Sequence, residues 1–405
     1  MPEFPPDVAE ADAATRGRRT TRAVVTVAFT FWTTMAGTTA PTPLYPLYGQ
    51  TFGFSPFTVT VVFAVYALGV VAGLLLFGRL SDQIGRRPTL LIAAALSLSA
   101  AAIFLMAQNV AALLFARVVS GLSAALVTGA ATAALTELIG PNARIRPATL
   151  ALFANMGGLA CGTLLAGILA DLAPAPLRTP WWVIGVLALL GLLGVATIGE
   201  SATRLPGFTW QVQPLHIPAE IRAGFLRSAM AAGAGFAVLG VLTAVTGLFL
   251  GALHQSSHTL TGLVVFVAFA CTALGQLLVR AVRAAVALPA ACLGLVVAAA
   301  LIAAALATTW LLPLLIGAAV TGVATGVAIG YGVGAIVTSG APQYRGASVS
   351  TFFAILYTML AVPAIGVGVL IRAWSLRPAG QLFSLAVAVL AAGVLLSLLG
   401  SRRRS

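Results

Sequence analysis

The feature that most constrains this chain is a succession of twelve long apolar runs that together occupy most of its 405 residues. A helix needs about 20 mostly apolar residues to cross the hydrocarbon core of a bilayer. Hydrophobic residues make up 60% of the chain and charged residues 8%, whereas soluble domains average roughly 45–50% and 25%. The sequence therefore predicts an all-α, polytopic membrane protein with twelve transmembrane helices, and it excludes a soluble globule.

The runs form two groups of six, separated by the longest polar stretch. The first group is predicted at residues 24–48, 58–78, 88–107, 110–138, 147–171 and 181–199. The second is predicted at residues 225–253, 259–279, 286–306, 308–338, 347–371 and 380–400. The resulting domains are a disordered N-terminal arm (1–22), a first six-helix bundle (23–199), a linker (200–224), a second six-helix bundle (225–400) and a basic tail (401–405).

The two groups also repeat each other in sequence. At an offset of 201 residues, identical residues recur at six pairs of positions that correspond in the span pattern: Arg79 and Arg280, Pro88 and Pro289, Gly121 and Gly322, Gly129 and Gly330, Pro141 and Pro342, and Arg144 and Arg345. The repeat predicts two pseudo-symmetric bundles of the same orientation, which is one known architecture of transporters.

Charge distribution gives the predicted topology. Each of the 22 basic residues is an arginine; 18 lie in one set of loops and three in the other, and Arg117 lies within a span. Arginines scattered between apolar runs cannot form a nucleic-acid-binding face, in spite of the net charge of +13. The positive-inside bias places both termini, the arm, the linker and the tail in the cytoplasm. We expect a multi-pass protein of the cell membrane.

Several chemistries have no candidate residues in the sequence. Cys161, Cys271 and Cys292 fall inside apolar runs, which indicates packing, and no Cys/His spacing typical of a metal site exists. A phosphate-binding loop ending in Gly-Lys is excluded because the chain has no lysine. We therefore predict no metal, no cofactor and no enzymatic activity. His254 and His258 fall in a loop and are expected to be solvated.

The loop after the second span carries the most specific motif. It reads Gly78-Arg-Leu-Ser-Asp82-Gln-Ile-Gly85-Arg86-Arg87-Pro88, and every fixed position matches the pattern G-x-L-x-D-x-x-G-R-[RK]. This loop resembles the signature of the major facilitator superfamily, and the resemblance in topology, repeat and motif covers residues 23–400.

The resemblance implies roles for this loop. Asp82 would lie against the N-terminus of the eleventh span, and Arg86 would pair with Glu137 at the end of span four. With Gly78, Gly85 and Arg87, these residues would form a latch between the halves that breaks when the cytoplasmic side opens. The corresponding loop at 280–289 lacks the acid and the glycines, so the latch would be single. The alternative is a solvated loop that only sets topology.

Two further elements resemble the same family. Arg117-Val-Val-Ser-Gly121 in span four resembles an R-x-x-x-G element, and Arg117 either faces a polar cavity or snorkels to the outer surface. In span five, Gly158, Gly162 and Gly167 keep the small-residue spacing of an antiporter signature, G-x-x-x-G-P-x-x-G-G. Thr163 and Ala166 replace a proline and a glycine of that signature, which weakens the indication of antiport and leaves helix packing as the other interpretation.

Polar and aromatic residues within the spans are the candidates for a substrate pocket, although each taken singly also suits packing. They are Trp32, Thr34, Thr38, Tyr66, Asn155, Gln276, Tyr331, Phe353 and Tyr357. In the first span, Pro41 and Pro43 are expected to break the outer end of the helix where it lines a cavity.

The predicted function is secondary active transport of a small organic solute by alternating access. We expect a monomer in the lipid bilayer that exports an amphipathic or drug-like compound, with protons as the coupling ion. One alternative is proton-coupled uptake of an anionic metabolite or sugar-like solute, attracted by Arg117. An alternative of another class is a transport-inactive membrane sensor or scaffold.

Overall fold

A computed structural model describes most of the chain. The described residues are 6–140, 143, 145–201, 212, 215–217, 219, 221–252, 255, 257–340 and 344–402, with side chains described from Arg18 to Gly400. Among the residues on which the predictions above rest, Pro141, Arg144, Arg204, His254, Pro342, Arg403 and Arg404 lie outside this set.

The described chain is all helical, and twelve of its helices are long and apolar enough to cross a membrane, as predicted. The first half comprises α1 (Pro6–Thr39), α2 (Tyr45–Phe52), α3 (Pro56–Phe77), α4 (Leu80–Ile84), α5 (Arg86–Leu105), α6 (Val110–Leu138), α7 (Pro147–Leu172) and α8 (Thr179–Ala196). The second half comprises α9 (Arg222–Ala252), α10 (His258–Leu278), α11 (Ala284–Thr308), α12 (Leu311–Ser339), α13 (Arg345–Ala373) and α14 (Leu376–Arg402).

The N-terminal arm differs from its prediction. We expected residues 1–22 to be disordered, but α1 is helical from Pro6 onward and continues into the first span. The sequence there offers a physical reason, because Asp7, Glu10 and Asp12 lie close to the described start of α1. Acidic residues near a helix N-terminus interact favourably with the helix dipole.

The C-terminal end of the first span is broken, as the prolines predict. Helix α1 ends at Thr39, a 3-10 turn spans Thr42–Leu44, and α2 completes the span. Because Pro41 and Pro43 carry no N–H group, the carbonyls four residues before them lose their helical donors. The first span therefore ends in free backbone acceptors, in a region where the neighbouring side chains are buried.

The two halves pack in the same way, which agrees with the sequence repeat. Within the first half, α6 packs on α3 and α5, and α7 packs on α1; in the second half, α12 packs on α10 and α11, and α13 packs on α9. Gly121 of α6 lies against the backbone of Tyr66 and Gly69, and its counterpart Gly322 lies against the backbone of Ala268. The halves join along two seams, α3 with α13 and α7 with α10.

The two ends of the bundle differ in their number of arginines. The Arg-rich end is the one that carries the loop 78–88 and the start of α13, and the Arg-poor end is the one that carries Pro43 and the start of α10. This distinction is structural and assigns neither end to a side of the membrane.

Candidate functional site

At the Arg-rich end, the loop 78–88 is held by the guanidinium of Arg86. This side chain donates to Ser81 Oγ at 2.8 Å, forms an ion pair with Asp82 and lies 2.9 Å from Glu137 Oε1. The structure thus brings together Arg86 and Glu137, the pair that the family resemblance implies. Gly85 has a φ of 104° between α4 and α5, a region that L residues disfavour, so this turn requires glycine.

Two residues that the sequence analysis did not select complete this network. Glu200 accepts hydrogen bonds from the backbone N–H groups of Arg86 at 2.9 Å and of Arg87 at 3.2 Å, and so caps the N-terminus of α5. Ser201 donates to Glu137 Oε2 at 2.8 Å. The sequence offered only their position after span six, which led us to assign them to the linker.

Arg87 also has a definite place. Its Nη2 donates to the carbonyl of Ala196 at 2.7 Å and its Nε to that of Val195 at 3.4 Å, at the C-terminus of α8. A cation at this end of a helix interacts favourably with the helix dipole. Gly78, in contrast, has an ordinary helical φ of −59°, so its backbone does not demand glycine.

The implied contact of Asp82 with the eleventh span is not formed. Among the described residues, Asp82 pairs with Arg86, and no hydrogen bond links it to α13. Its side chain is 48% exposed. Each described contact of Arg86, Arg87 and Glu137 given above stays within the first half of the molecule.

Arg117 neither snorkels nor lies open to solvent. Its side chain is 1% exposed; Nη1 donates to the carbonyl of Thr38 at 2.5 Å, and Nε donates to that of Val62 at 3.4 Å. The guanidinium carbon lies 4.5 Å from the centre of the Tyr66 ring. The cation therefore satisfies a free carbonyl at the broken end of α1, which is how the bundle accommodates a charge within a span.

Three aromatic rings meet where the two halves face each other. Tyr66 of α3 and Tyr357 of α13 are edge-to-face with ring centres 6.4 Å apart, and Phe236 of α9 meets Tyr357 at 5.8 Å. Tyr66 and Tyr357 were predicted as pocket residues, and Phe236 was missed because a phenylalanine in an apolar span gives no distinguishing signal. We call Tyr66, Phe236 and Tyr357 the aromatic cluster.

The other pocket candidates are dispersed. Thr34 and Thr38 line a small cavity inside the first half, of about 10 Å³, together with Ser97, Ser120 and Trp181 among others. Trp32 lies against Gly157 and Gly158 of α7.

The remaining candidates lie on three other helices. The Oδ1 atom of Asn155 is buried without a hydrogen bond. Gln276 and Tyr331 are half-buried on α10 and α12, and Phe353 packs edge-on against Phe352. The candidates therefore do not form one continuous site in this conformation.

The glycines of span five mark close backbone approaches. Gly158 lies against the carbonyl of Trp32, Gly162 against that of Ala36, and Gly167 against that of His258, so any Cβ at these positions would collide with backbone. Helix α7 is thus fitted between α1 of its own half and α10 of the other. Thr163 replaces the proline of the signature. Its hydroxyl hydrogen is shared between the Ala160 carbonyl of α7 at 2.8 Å and, across this seam, the Gly262 carbonyl at 3.1 Å.

The Arg-poor end is joined across the halves by Asp171 of α7. Its carboxylate accepts from Ser257 Oγ at 2.9 Å, from the N–H of His258 at 2.9 Å and from the N–H of Thr259 at 2.8 Å. His258 Nδ1 lies 3.0 Å from the carbonyl of Pro43. The expectation that His258 is a solvated loop residue is wrong, because this residue begins α10 and contacts the first span.

Within the part of the chain that the structure describes, no group of three or more His, Cys, Asp or Glu residues is placed to hold a metal ion. The seam between the halves instead presents the aromatic cluster and the exposed carboxylate of Asp171, and the buried cation Arg117 lies beside the cluster within the first half.

Comparison with known proteins agrees with this architecture. The family model of the Major Facilitator Superfamily matches residues 27–367, so the chain belongs to that superfamily and is a secondary transporter in a membrane, not an enzyme. The inner membrane transport protein YnfM of Escherichia coli K12 is 29% identical over 129 residues, an alignment that spans 32% of this chain and 31% of that protein.

Solved structures show the same fold at low sequence identity. The nucleoside transporter NupG has a TM-score of 0.71 at 12% identity and covers 93% of this chain and 99% of its own. A bacterial homologue of the human lysosomal transporter Spinster, inward-facing and unoccupied, has a TM-score of 0.71 at 16% identity, with 94% and 97% covered. The human organic anion transporter MFSD10 has a TM-score of 0.66 at 18% identity, with 93% and 99% covered.

Proposed function

We propose that this transporter exports an amphipathic or drug-like compound in exchange for protons, as a monomer in the cell membrane with both termini in the cytoplasm. The observation that carries the proposal is the aromatic cluster on the seam between the halves. In an alternating-access carrier the solute binds between the two halves. Rings contributed by both halves suit a partly apolar solute, because aromatic faces give large contact areas with little charge.

The state of Arg117 favours this solute over an anionic one. A guanidinium that binds an anionic metabolite must be accessible from the solute path. Arg117 is buried, donates to two carbonyls and lies under the Tyr66 ring. Uptake of an anion attracted by Arg117 therefore requires a rearrangement of this residue, whereas binding of an amphipathic solute to the aromatic cluster does not.

The proposed topology assigns the two ends of the bundle to the two sides of the membrane. With the Arg-rich end in the cytoplasm, the cross-half contacts of Asp171 and His258 lie at the outer side. The structure then represents a state that is shut to the outside, and the contact of Asp82 with α13 belongs to the opposite state. The proposed cytoplasmic latch consists of Gly78, Asp82, Gly85, Arg86, Arg87 and Glu137. Arg117 and Gly121 belong to the part of α6 that is proposed to couple proton movement to transport or to line the substrate path.

Flux measurements in vesicles test the proposal. Purified protein is reconstituted into liposomes, an inward or outward proton gradient is imposed, and uptake is followed for a panel of fluorescent amphipathic cations and for a panel of carboxylates. We expect gradient-dependent flux of an amphipathic compound that an ionophore abolishes. Gradient-driven flux of a carboxylate instead would establish the anion alternative, and binding without flux in either panel would establish a sensor.

A matched pair of tyrosine variants identifies the binding surface. Tyr357→Ala removes the ring that joins α3 and α9 in the aromatic cluster, and should raise the KM of the transported compound by about tenfold, since an aromatic contact is worth roughly 0.5–1.5 kcal/mol beyond its buried area. Tyr344→Ala is the control, because that ring stacks on His216 away from the cluster. Equal KM values for the two variants would show that the aromatic cluster does not bind the transported compound.

A further inference from the structure

We infer that Asp171 is a positioning residue that holds the Arg-poor end of the transporter shut, by capping α10 of the opposite half. The inference rests on the alternating access of a secondary transporter, and it depends neither on the identity of the solute nor on the proposed exchange with protons.

The geometry is that of a cap supplied across the seam. A helix begins with N–H groups that have no partner within the helix. At α10, the N–H groups of His258 and Thr259 donate to the two carboxylate oxygens of Asp171, and Ser257 adds a third hydrogen bond. Hydrogen bonds to an ionised acceptor are stronger than neutral ones, and the positive end of the helix dipole adds to them.

Three further contacts hold the first half against the start of α10, and together with the cap by Asp171 we call them the Arg-poor joint. The carbonyl of Pro43 accepts only, so His258 donates from Nδ1 and ties the start of α10 to the first span. Deeper along the seam, Thr163 Oγ1 shares its hydrogen between the Ala160 carbonyl of its own helix and the Gly262 carbonyl of α10, and Gly167 allows α7 to approach the backbone of His258. The joint therefore involves three elements, of which α7 and the turn after α1 belong to the first half and α10 to the second.

The exposure of Asp171 makes the joint reversible. Asp171 is exposed at the rim of the bundle, so water can solvate both the carboxylate and the N–H groups of α10 when the halves separate. A buried ion pair would leave uncompensated charges on opening, at a cost of several kcal/mol. A cap at the rim instead biases the closed state by a modest free energy, as a transport cycle requires.

The test is the exposure of a reporter cysteine in the Arg-poor seam. Thr60 of α3 is 0% exposed and packs against Gly368 of α13, so Thr60→Cys becomes reactive when this end opens. The background carries Cys161→Ala, Cys271→Ala and Cys292→Ala. The measurement is the rate of modification by a charged maleimide in nanodiscs, where both ends meet water and no solute is needed.

We expect Asp171→Asn to raise this rate by about tenfold, within the range that a helix-dipole contact supports, and Asp171→Glu to raise it less. Asp82→Asn is the same substitution at the Arg-rich end and serves as the opposing variant: it should not raise the rate, because loss of the proposed latch favours the state seen here, in which the Arg-poor end is shut. If Asp171→Asn does not yield monodisperse protein, Thr163→Val carries the test, because it removes a cross-seam hydroxyl without changing side-chain shape.

Unchanged labelling rates in both Asp171→Asn and Thr163→Val would overturn the inference. A rise of equal size in Asp82→Asn would also overturn it, because the effect would then be general loosening. Since labelling requires no transported compound, failure of the proposed export function leaves these outcomes unaffected.

Discussion

The two ends of this molecule carry an aspartate near a helix end, and the two aspartates have different partners. At the Arg-rich end, Asp82 pairs with Arg86, four residues along the same loop. At the Arg-poor end, Asp171 reaches the opposite half and caps α10. The aspartate at the Arg-rich end therefore makes a contact within one half, and the aspartate at the Arg-poor end makes contacts between the halves. Which aspartate bridges the halves indicates which end of a carrier of this kind is shut.

The difference extends to the surroundings of each aspartate. The Arg-rich loop belongs to a network of Arg86, Glu137, Glu200 and Ser201 that lies within the first half, so this region can move as one block. At the Arg-poor end, by contrast, the contacts of Asp171, Pro43 and Thr163 run from the first half to α10 of the second. A rocking motion would thus preserve the Arg-rich network and break the Arg-poor joint.

The first prediction concerns the sides of the membrane, and its effect is all or none. Tags on the N- and C-termini should be accessible to antibody only after the membrane is permeabilised, because 18 of 22 arginines lie on the side of the termini in the predicted topology. The measurement is immunofluorescence of intact and permeabilised cells. A terminus reached in intact cells would break the assignment of the two ends to inside and outside, and the twelve-span topology with it.

The second prediction is the largest among substitutions. Arg117→Ala should lower the free energy of unfolding by about 2–3 kcal/mol, because it removes a large buried side chain and leaves the Thr38 carbonyl without this donor, and an unsatisfied buried polar group typically costs about 1–3 kcal/mol. Transport should fall strongly and lose its response to the proton gradient. Thermal unfolding and vesicle flux are the measurements.

Arg117→Lys is the control for this residue. It keeps the charge but loses the planar fork that reaches two carbonyls, so it should fall between wild type and Arg117→Ala in both measurements. Normal flux with an unchanged pH response in Arg117→Ala would limit the residue to a structural role.

The third prediction sharpens the comparison of the two aspartates. Asp82→Asn should slow transport by about tenfold while changing the free energy of unfolding by less than about 1 kcal/mol, because an ion pair at a site that is 48% exposed contributes little to stability. The substitution should destabilise the state in which Asp82 contacts α13, so the population should shift toward the state seen here. Wild-type flux in Asp82→Asn would contradict the latch.

The smallest predicted effect tests the Arg-rich network as one block. Glu200→Gln keeps the shape of the side chain but loses the charge that caps α5, and should lower the free energy of unfolding by about 1 kcal/mol, as loss of a helix cap usually does. Transport should change little, since the contacts with Arg86 and Arg87 lie within one half. A large loss of flux with normal thermal stability would show that Glu200 takes part in the cycle.

The fold was largely predictable because apolar length alone determines what crosses a membrane. The twelve runs became twelve spans, and Pro41 and Pro43 marked the break in the first. The pair of Arg86 and Glu137 followed from the resemblance of one loop to a known signature. Contacts that depend on which helices pack together could not be predicted. Nothing in the sequence around Asp171 indicates that it contacts α10.

The roles of Glu200 and Phe236 were missed, and His258 was assigned wrongly, for related reasons. Glu200 was placed in the linker because the apolar run ends before it, and its role as a cap of α5 requires knowing that α8 ends beside that helix. Phe236 cannot be distinguished from other apolar residues in the sequence, because only the fold places it close to Tyr66 and Tyr357. His258 was called solvated from its loop position, although the loop ends where α10 begins.

The capping of α1 by Arg117 has a consequence for the order in which this chain is made. The guanidinium enters the bilayer with α6, and a lone charge there would cost several kcal/mol. Its acceptors, the carbonyls of Thr38 and Val62, belong to α1 and α3, which leave the ribosome earlier. By the time the fourth span is inserted, the carbonyls that accept its hydrogen bonds have already been synthesised, so Arg117 can find its acceptors as soon as α6 enters the membrane.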